Sequence, residues 1–428
     1  MIPLHPTPDA RFDCPHCRAP LAPGGWLVPG MRNLAELRCA ACGREFYGDL
    51  PSGQALYTPV LLDRASGAVH DPSGVGWFAE WLRRSYAERT DAAVPFAARE
   101  HRPVTREVVL LNCLDTLYGH SLLKLLNAQS YLDRDEFDVI VLVPAFLAWM
   151  VPDGVAQTWI VDLPLRRGTE WNDWLAREVR RRVEAFPVVR LSVAFSHPHP
   201  DDFQIERFTR VQPFALAEWG ARLERPTVSF AWRGDRLWGE EEDAAARGPV
   251  EKITRRLGLA ANRAGEQARK IVTTAEALRR AWPSLDFAVV GIGEPGGLPA
   301  WVSDMRRGVV DEATERAWCE RYAASHVVAG VHGSNLLLPS AHAGGAVELI
   351  GRERGGNFLQ GILPRPGDAR EMFFRYRFVP HSTTPGELAE LLGLMLAGYP
   401  DFVRLMGREF TRHEAGQDAS RWRGKART

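Results

Sequence analysis

Short apolar runs alternate with helix-length amphipathic stretches through most of this chain, and the alternation starts twice. Glu107 to Asn112 reads as a buried strand, Ser121 to Ala128 as a helix, and Phe137 to Val143 and Gln157 to Val161 as two more strands. Trp171 to Phe186 is a helix with arginines on its outer side, and Val189 to Ala194 closes the first unit. The pattern restarts with a strand at Pro226 to Trp232, a long helix at Arg263 to Trp282 and a strand at Asp286 to Gly291. An amphipathic helix at Asp311 to Ser325 then leads into strands at Val327 and at Ala346 to Ile350, with a late helix at Glu387 to Leu396. Strands and helices alternating at this spacing fold as parallel sheets covered by helices. The expectation is an α/β protein of two Rossmann-like domains, residues 55–215 and 216–428, with a hinge near residues 200–225. Residues 55–105 are mixed: a strand at Leu56 to Leu62, a helix at Val75 to Glu88, then a loop.

A separate small domain is expected over residues 1–54. Cys14-Pro15-His16-Cys17 and Cys39-Ala40-Ala41-Cys42-Gly43 are two CxxC pairs with 21 residues between them. Each pair can set two thiolates on one side of a tight turn, and two such turns complete a tetrahedral zinc shell. Gly24 to Val28 and Ala35 to Arg38 read as strands of a zinc ribbon. A redox CxxC would open a helix in a βαβ unit, which is not the pattern here. Cys14, Cys17, Cys39 and Cys42 close the shell, so the zinc is expected to be structural, with His16 a bystander. The ribbon could dock on a protein partner, cover a face of the main domain or help bind an acceptor.

Chemistry concentrates in the second half, at Val327-Val328-Ala329-Gly330-Val331-His332-Gly333-Ser334-Asn335, followed thirteen residues later by Glu348. This reads as a strand, a glycine turn, a short helix and a second strand. Ligands of open α/β sheets bind beyond the carboxyl ends of the strands, which places His332, Gly333 and Ser334 at such an end. Gly333 permits close backbone approach, and free amides at a helix start favour an anion. Glu348, a carboxylate in an apolar run, needs a partner, which a ribose diol or Arg352 would supply. Together these point to a nucleotide or nucleotide-sugar site.

Val328 to Leu336, with Pro339 and Val347-Glu348-Leu349, resembles the signature of a GT-B group containing plant xylosyl- and arabinosyltransferases and O-mannose-linked N-acetylglucosaminyltransferases. The pattern there is G-V-H-G-A-G-L-T-N, an apolar stretch and E; Ser334 stands here in place of the alanine, and the run to the asparagine is shorter. Phe230-Ala231-Trp232-Arg233-Gly234-Asp235-Arg236-Leu237-Trp238 is similar to the strand-end arginine motif of those enzymes and of GT-B fucosyltransferases. The two motifs cover about 35 residues, all in the carboxyl-terminal half. The resemblance implies two domains facing across a cleft, a nucleotide-sugar donor in the second, and inverting transfer to a hydroxyl of a glycan, lipid-linked or protein acceptor.

The residues support that comparison on their own chemistry. A nucleoside diphosphate leaves with developing negative charge, which arginines can stabilise without a metal. Arg233 and Arg236, with Gly234 between them, could both reach a diphosphate, or they could pair with Asp235 or Glu240. Donor binding is therefore assigned to Arg233, Arg236, His332, Gly333, Ser334, Asn335 and Glu348. No catalytic metal is expected, because Asp133-Arg134-Asp135 sits in a polar connection. Asp115 or His120, in the loop after the Glu107 strand, is a candidate general base, and Asp235 is another. His197-Pro198-His199-Pro200-Asp201-Asp202 looks metal-like, but its prolines mark a connector.

Composition narrows the remaining choices. Lysine plus arginine and aspartate plus glutamate both number 53, so no basic excess argues for nucleic acid. No apolar run approaches the roughly 18 residues of a membrane span, and the first residues lack a signal-peptide pattern, so a cytoplasmic protein is expected. Two rival readings remain at this stage: a non-catalytic GT-B-like protein recruiting partners through its zinc ribbon, and another activity of the scaffold such as sugar-nucleotide epimerisation.

Overall fold

Apolar strands too short to satisfy their backbone groups alone have assembled into three sheets. The computed structural model describes residues 4–5, 11–239 and 261–416. A short strand β1 (Leu4–His5) precedes an antiparallel meander of β2 (Leu21–Leu27), β3 (Leu34–Cys39), β4 (Glu45–Asp49), β5 (Leu61–Asp63) and β6 (Val69–His70). After the helix Trp77–Ala87 come β7 (Phe96–Glu100), β8 (Glu107–Asn112), β9 (Phe137–Pro144), β10 (Gln157–Val161) and β11 (Val189–Ser192). The remaining strands are β12 (Thr227–Trp232), β13 (Asp286–Ile292), β14 (Ser303–Arg307), β15 (Val327–Val331), β16 (Gly345–Ile350) and β17 (Tyr376–Pro380). The fold class is as expected: α/β, with two Rossmann-like parallel sheets and a small amino-terminal cysteine-bearing sheet. The chain divides into two compact units, Met1–Arg210 and Val211–Thr428.

In the first unit the strand order is β1-β11-β8-β9-β10-β7. All pairings are parallel except β10 with β7, which is antiparallel. Read in chain order from β8, this is the 3-2-1-4 arrangement of a Rossmann half, and its order reverses between β8 and β11. Strand β9 is buried along its whole length, as a strand covered on both faces must be. The expected boundary at residue 54 needs correction, since the antiparallel sheet runs on to His70. One face of that sheet presents Ala35, Leu37, Cys39 and Phe46 to a core shared with Leu110, Leu142 and Trp159 of the parallel sheet. The opposite face packs Leu34, Tyr47 and Leu62 against Phe78 and Leu82 of the helix Trp77–Ala87. The ribbon is thus a layer of the first unit. The expected strand at Leu56 to Leu62 is a 3-10 turn over Gly53–Leu56 followed by β5.

The second unit has the order β14-β13-β12-β15-β16-β17, every pairing parallel. This is the 3-2-1-4-5-6 order of a complete Rossmann sheet, with its switch point between β12 and β15. One face is covered by the helices Ala261–Ala281 and Pro385–Gly416 through Ile271, Leu278, Leu392 and Met395. The other face is covered by Trp318 and Tyr322 of the helix Glu312–Ala324. The late helix is far longer than the expected Glu387 to Leu396. No helix among the described residues is long and apolar enough to cross a membrane.

Candidate functional site

At the switch point of the second unit, the loops after β12 and β15 bring five of the expected residues together. Arg233 Nη1 donates to the carbonyl of His332 at 2.7 Å and to Oδ1 of Asn335 at 3.2 Å. Arg236 Nη1 donates to the same carbonyl at 2.8 Å. Two guanidinium groups therefore meet at the peptide that precedes Gly333. Gly333 has φ 144°, and a Cβ there would stand 2.0 Å from Arg233 Nη1. Only glycine allows that approach. From behind, Gln267 accepts from the amide of Trp238 at 2.9 Å and donates to the carbonyl of Arg233 at 3.2 Å, fixing the arginine loop to a helix. Ser334 is exposed at the same edge.

Asp235 grips Arg233 with both oxygens, at 2.8 Å to Nε and 2.5 Å to Nη2. The Arg233 guanidinium holds its carboxyl below the usual carboxylate range. That makes Asp235 a weak base, contrary to its candidacy for proton removal. Glu240, the other partner considered for these arginines, lies outside the described residues.

Glu348 lies beneath this edge. It pairs in register with Gly330, two residues short of the end of β16, and is 1% exposed. Its Oε1 lies 2.7 Å from Nδ1 of His332, and its Oε2 is buried without a partner. Gly361 closes over it: a Cβ there would be 2.1 Å from Oε1 and 3.2 Å from the Gly333 amide. Glu348 thus orients the imidazole of His332 from beneath, and does not stand open at the sheet edge or pair with Arg352.

The first unit has its own cluster at its own switch point, between the loops after β8 and β11. Asp115 Oδ1 accepts from the amide of Thr116 at 2.8 Å and faces His120 Nδ1 at 3.3 Å. Oδ2 pairs with Lys124 Nζ at 3.0 Å. Burial alone would raise the Asp115 pKa, but Lys124, and then His120, outweigh it and hold the group well below the usual range. Asp115 is therefore a fixed anion. His120, with its side chain 31% exposed, sets its ring against that anion at the surface of the cluster. His197, read as part of a connector, lies in the loop after β11; desolvation and the nearby His120 push its pKa down. The rest of that run is local capping, with His199 accepting from the Asp201 amide.

Sequence reasoning missed Lys124, which is 1% exposed and donates to the carbonyls of Leu114 at 2.8 Å and Met31 at 3.3 Å. The signal was present: a lysine between Leu122-Leu123 and Leu125-Leu126 has no solvated face to occupy. Met31 belongs to the β2–β3 turn, and Asn112, at the end of β8, donates to Gly30 of that turn at 2.9 Å. The cysteine-bearing sheet therefore braces this cluster directly.

The four cysteine sulfurs lie within 4.8 Å of one another, Cys14 to Cys42 at 3.7 Å and Cys17 to Cys39 at 3.4 Å. A tetrahedral shell with zinc–sulfur bonds of about 2.3 Å has edges of about 3.8 Å, so these thiols fit a metal ion. Both turns close alike: the amides of Arg18 and Gly43 each donate at 2.9 Å to the first cysteine's carbonyl, at φ 60° and 74°. Within the cluster the amide of Cys42 leads in drawing the Cys39 thiol down to about 6, while Cys17, against the lowering effect of the Ala19 amide, is pushed up by its bond with Cys39.

Fold and site together define a two-unit Rossmann-like protein with polar clusters at both switch points. No protein-family model and no curated protein matches the chain. Among solved structures it is similar to E. coli ADP-heptose LPS heptosyltransferase II, at 11% identity and a TM-score of 0.34, over 68% of this chain and 98% of that one.

Proposed function

We propose that this protein is a glycosyltransferase that moves a sugar from a nucleotide-sugar donor to a hydroxyl acceptor. The carrying observation is the convergence of Arg233 and Arg236 on the His332 carbonyl, beside Gly333, at the β12–β15 switch point. Two cationic forks beside Gly333 make a seat for a pyrophosphate. The diphosphate displaces Asp235 from Arg233, and the arginines take up the charge that develops as it leaves, with no metal required for that task. Ser334 and Asn335 complete the donor edge, and Glu348 acts through His332.

The first unit serves the acceptor, a glycan, lipid-linked or protein hydroxyl. His120 takes the hydroxyl proton while Asp115, kept ionised by Lys124, holds the ring. The acceptor oxygen bonds to the anomeric carbon as the bond to the diphosphate breaks, its electron pair leaving with the diphosphate, which inverts that carbon. The four thiolates hold a structural zinc ion. Acting within the cytoplasm fits a nucleotide-sugar donor.

A thermal-shift comparison of uridine, guanosine, adenosine and cytidine diphosphates tests the donor seat. At least one should raise Tm, and Arg233→Ala should remove that rise while circular dichroism stays unchanged. A rise that survives the substitution, or no rise with any of the four, refutes the assignment.

A further inference from the structure

Beside the Asp115 loop, the first unit carries a cavity of about 320 Å³ whose walls include Trp81, Arg84, Glu88, Arg167, Glu170 and Trp171. That is the lower end of the range for small-molecule sites. Trp171 is 3% exposed and forms the floor, its indole N–H already given to Asp173 at 2.8 Å. Trp81 is half-buried, braced edge-on by Trp77 at 4.8 Å between ring centres. Arg167 forks onto Glu170 with Nε at 2.8 and 2.9 Å from its two oxygens. Arg84 makes no side-chain hydrogen bond or ion pair among the described residues.

We propose that this cavity is a carbohydrate subsite that takes one neutral pyranose ring of the acceptor. A sugar has an apolar face of C–H groups and a rim of hydroxyls, each both donor and acceptor. An indole flank matches the face, and neighbouring guanidinium and carboxylate groups match the rim. Two arginines against two glutamates leave no net charge to favour an ionic ligand. The cavity also touches the chemistry already described. Its Arg167–Glu170 wall is the segment in which Gly168 abuts Asp115, a Cβ there falling 2.5 Å from the Asp115 carbonyl. Thr116 Oγ1 donates to the carbonyl of Leu165, two residues before that segment, at 3.1 Å. A ring seated here lies against the segment that packs on the Asp115 loop. That the sugar belongs to an acceptor rests on the transferase reading; that the cavity binds a sugar does not.

Saturation-transfer NMR on the full chain, with the methyl glycosides of glucose, galactose, mannose and N-acetylglucosamine and with methyl glucuronide as the charged probe, reads the site directly. At least one neutral glycoside should bind with millimolar Kd, and Trp81→Ala and the exposed Arg84→Ala should each weaken it at least tenfold. Arg84→Ala guards against a folding defect, because its side chain is exposed and makes no hydrogen bond or ion pair among the described residues. Binding that is absent, unchanged in Arg84→Ala, or seen only with the glucuronide overturns the proposal. Nucleoside diphosphate shifts measured on the same samples separate the two readings. A diphosphate shift without glycoside binding sinks the subsite alone, whereas glycoside binding without any diphosphate shift sinks its acceptor role.

Discussion

Asp115 is a buried carboxylate whose charge is held by its neighbours. It is the sole side-chain counter-charge given to Lys124 among the described residues, and both side chains are at most 2% exposed. Removing one partner of a buried pair leaves the other charge without compensation, at a cost of about 3 kcal/mol or more. Asp115→Asn should therefore lower the urea-unfolding free energy by roughly that amount. The double substitution Asp115→Asn with Lys124→Met should recover much of the loss. A single substitution as stable as the parent would show that the pair carries no such weight. The site was only partly legible at this scale. His332, Gly333 and Arg233 follow apolar strands, and strand ends are visible in a sequence. The roles of Glu348 and Lys124 depend on register and helix facing, which place Glu348 opposite Gly330 and Lys124 beneath Met31.

The cysteine-bearing sheet is the element whose placement the sequence did not reveal. Its two CxxC pairs declare a metal knuckle by spacing, yet nothing in that spacing tells which neighbour covers β3. Alternation along β3 splits its side chains between two cores, Ala35 and Leu37 on one and Leu34 on the other. Stripping the metal should therefore do more than unfold a small appendage. Chelation by 1,10-phenanthroline should release one zinc per chain and lower the unfolding temperature of the whole first unit. Zinc loss that leaves that transition in place would mean the sheet and its neighbour fold separately. Edge strands were the other failure. β7 (Phe-Ala-Ala-Arg-Glu) and β14 (Ser-Asp-Met-Arg-Arg) lie at sheet margins, where solvent accepts charges, so their apolar signal is weak. The central strands β8, β9, β12, β13, β15 and β16 were readable because burial on both faces demands unbroken apolar runs.

For the molecule as a whole, buried histidines make stability fall in acid. His326 and His342, both in the second unit, are buried, and desolvation pushes each from the ordinary 6.5 down to about 4. A depressed histidine means that the unfolded chain takes up protons first. The stability is complete above about pH 6.5 and is lost as pH falls towards 4, at about 3 kcal/mol per ring. The urea midpoint should drop between pH 7.5 and pH 4.5, and the drop should shrink in His342→Gln; equal drops in both proteins would acquit the histidine. Synthesis imposes an asymmetry. Residues that complete the β8–β10 core, such as Leu37 and Phe46, leave the ribosome before the strands they cover. The amino-terminal half thus carries its own template ahead of itself, and its parallel strands emerge to a covering surface already synthesised.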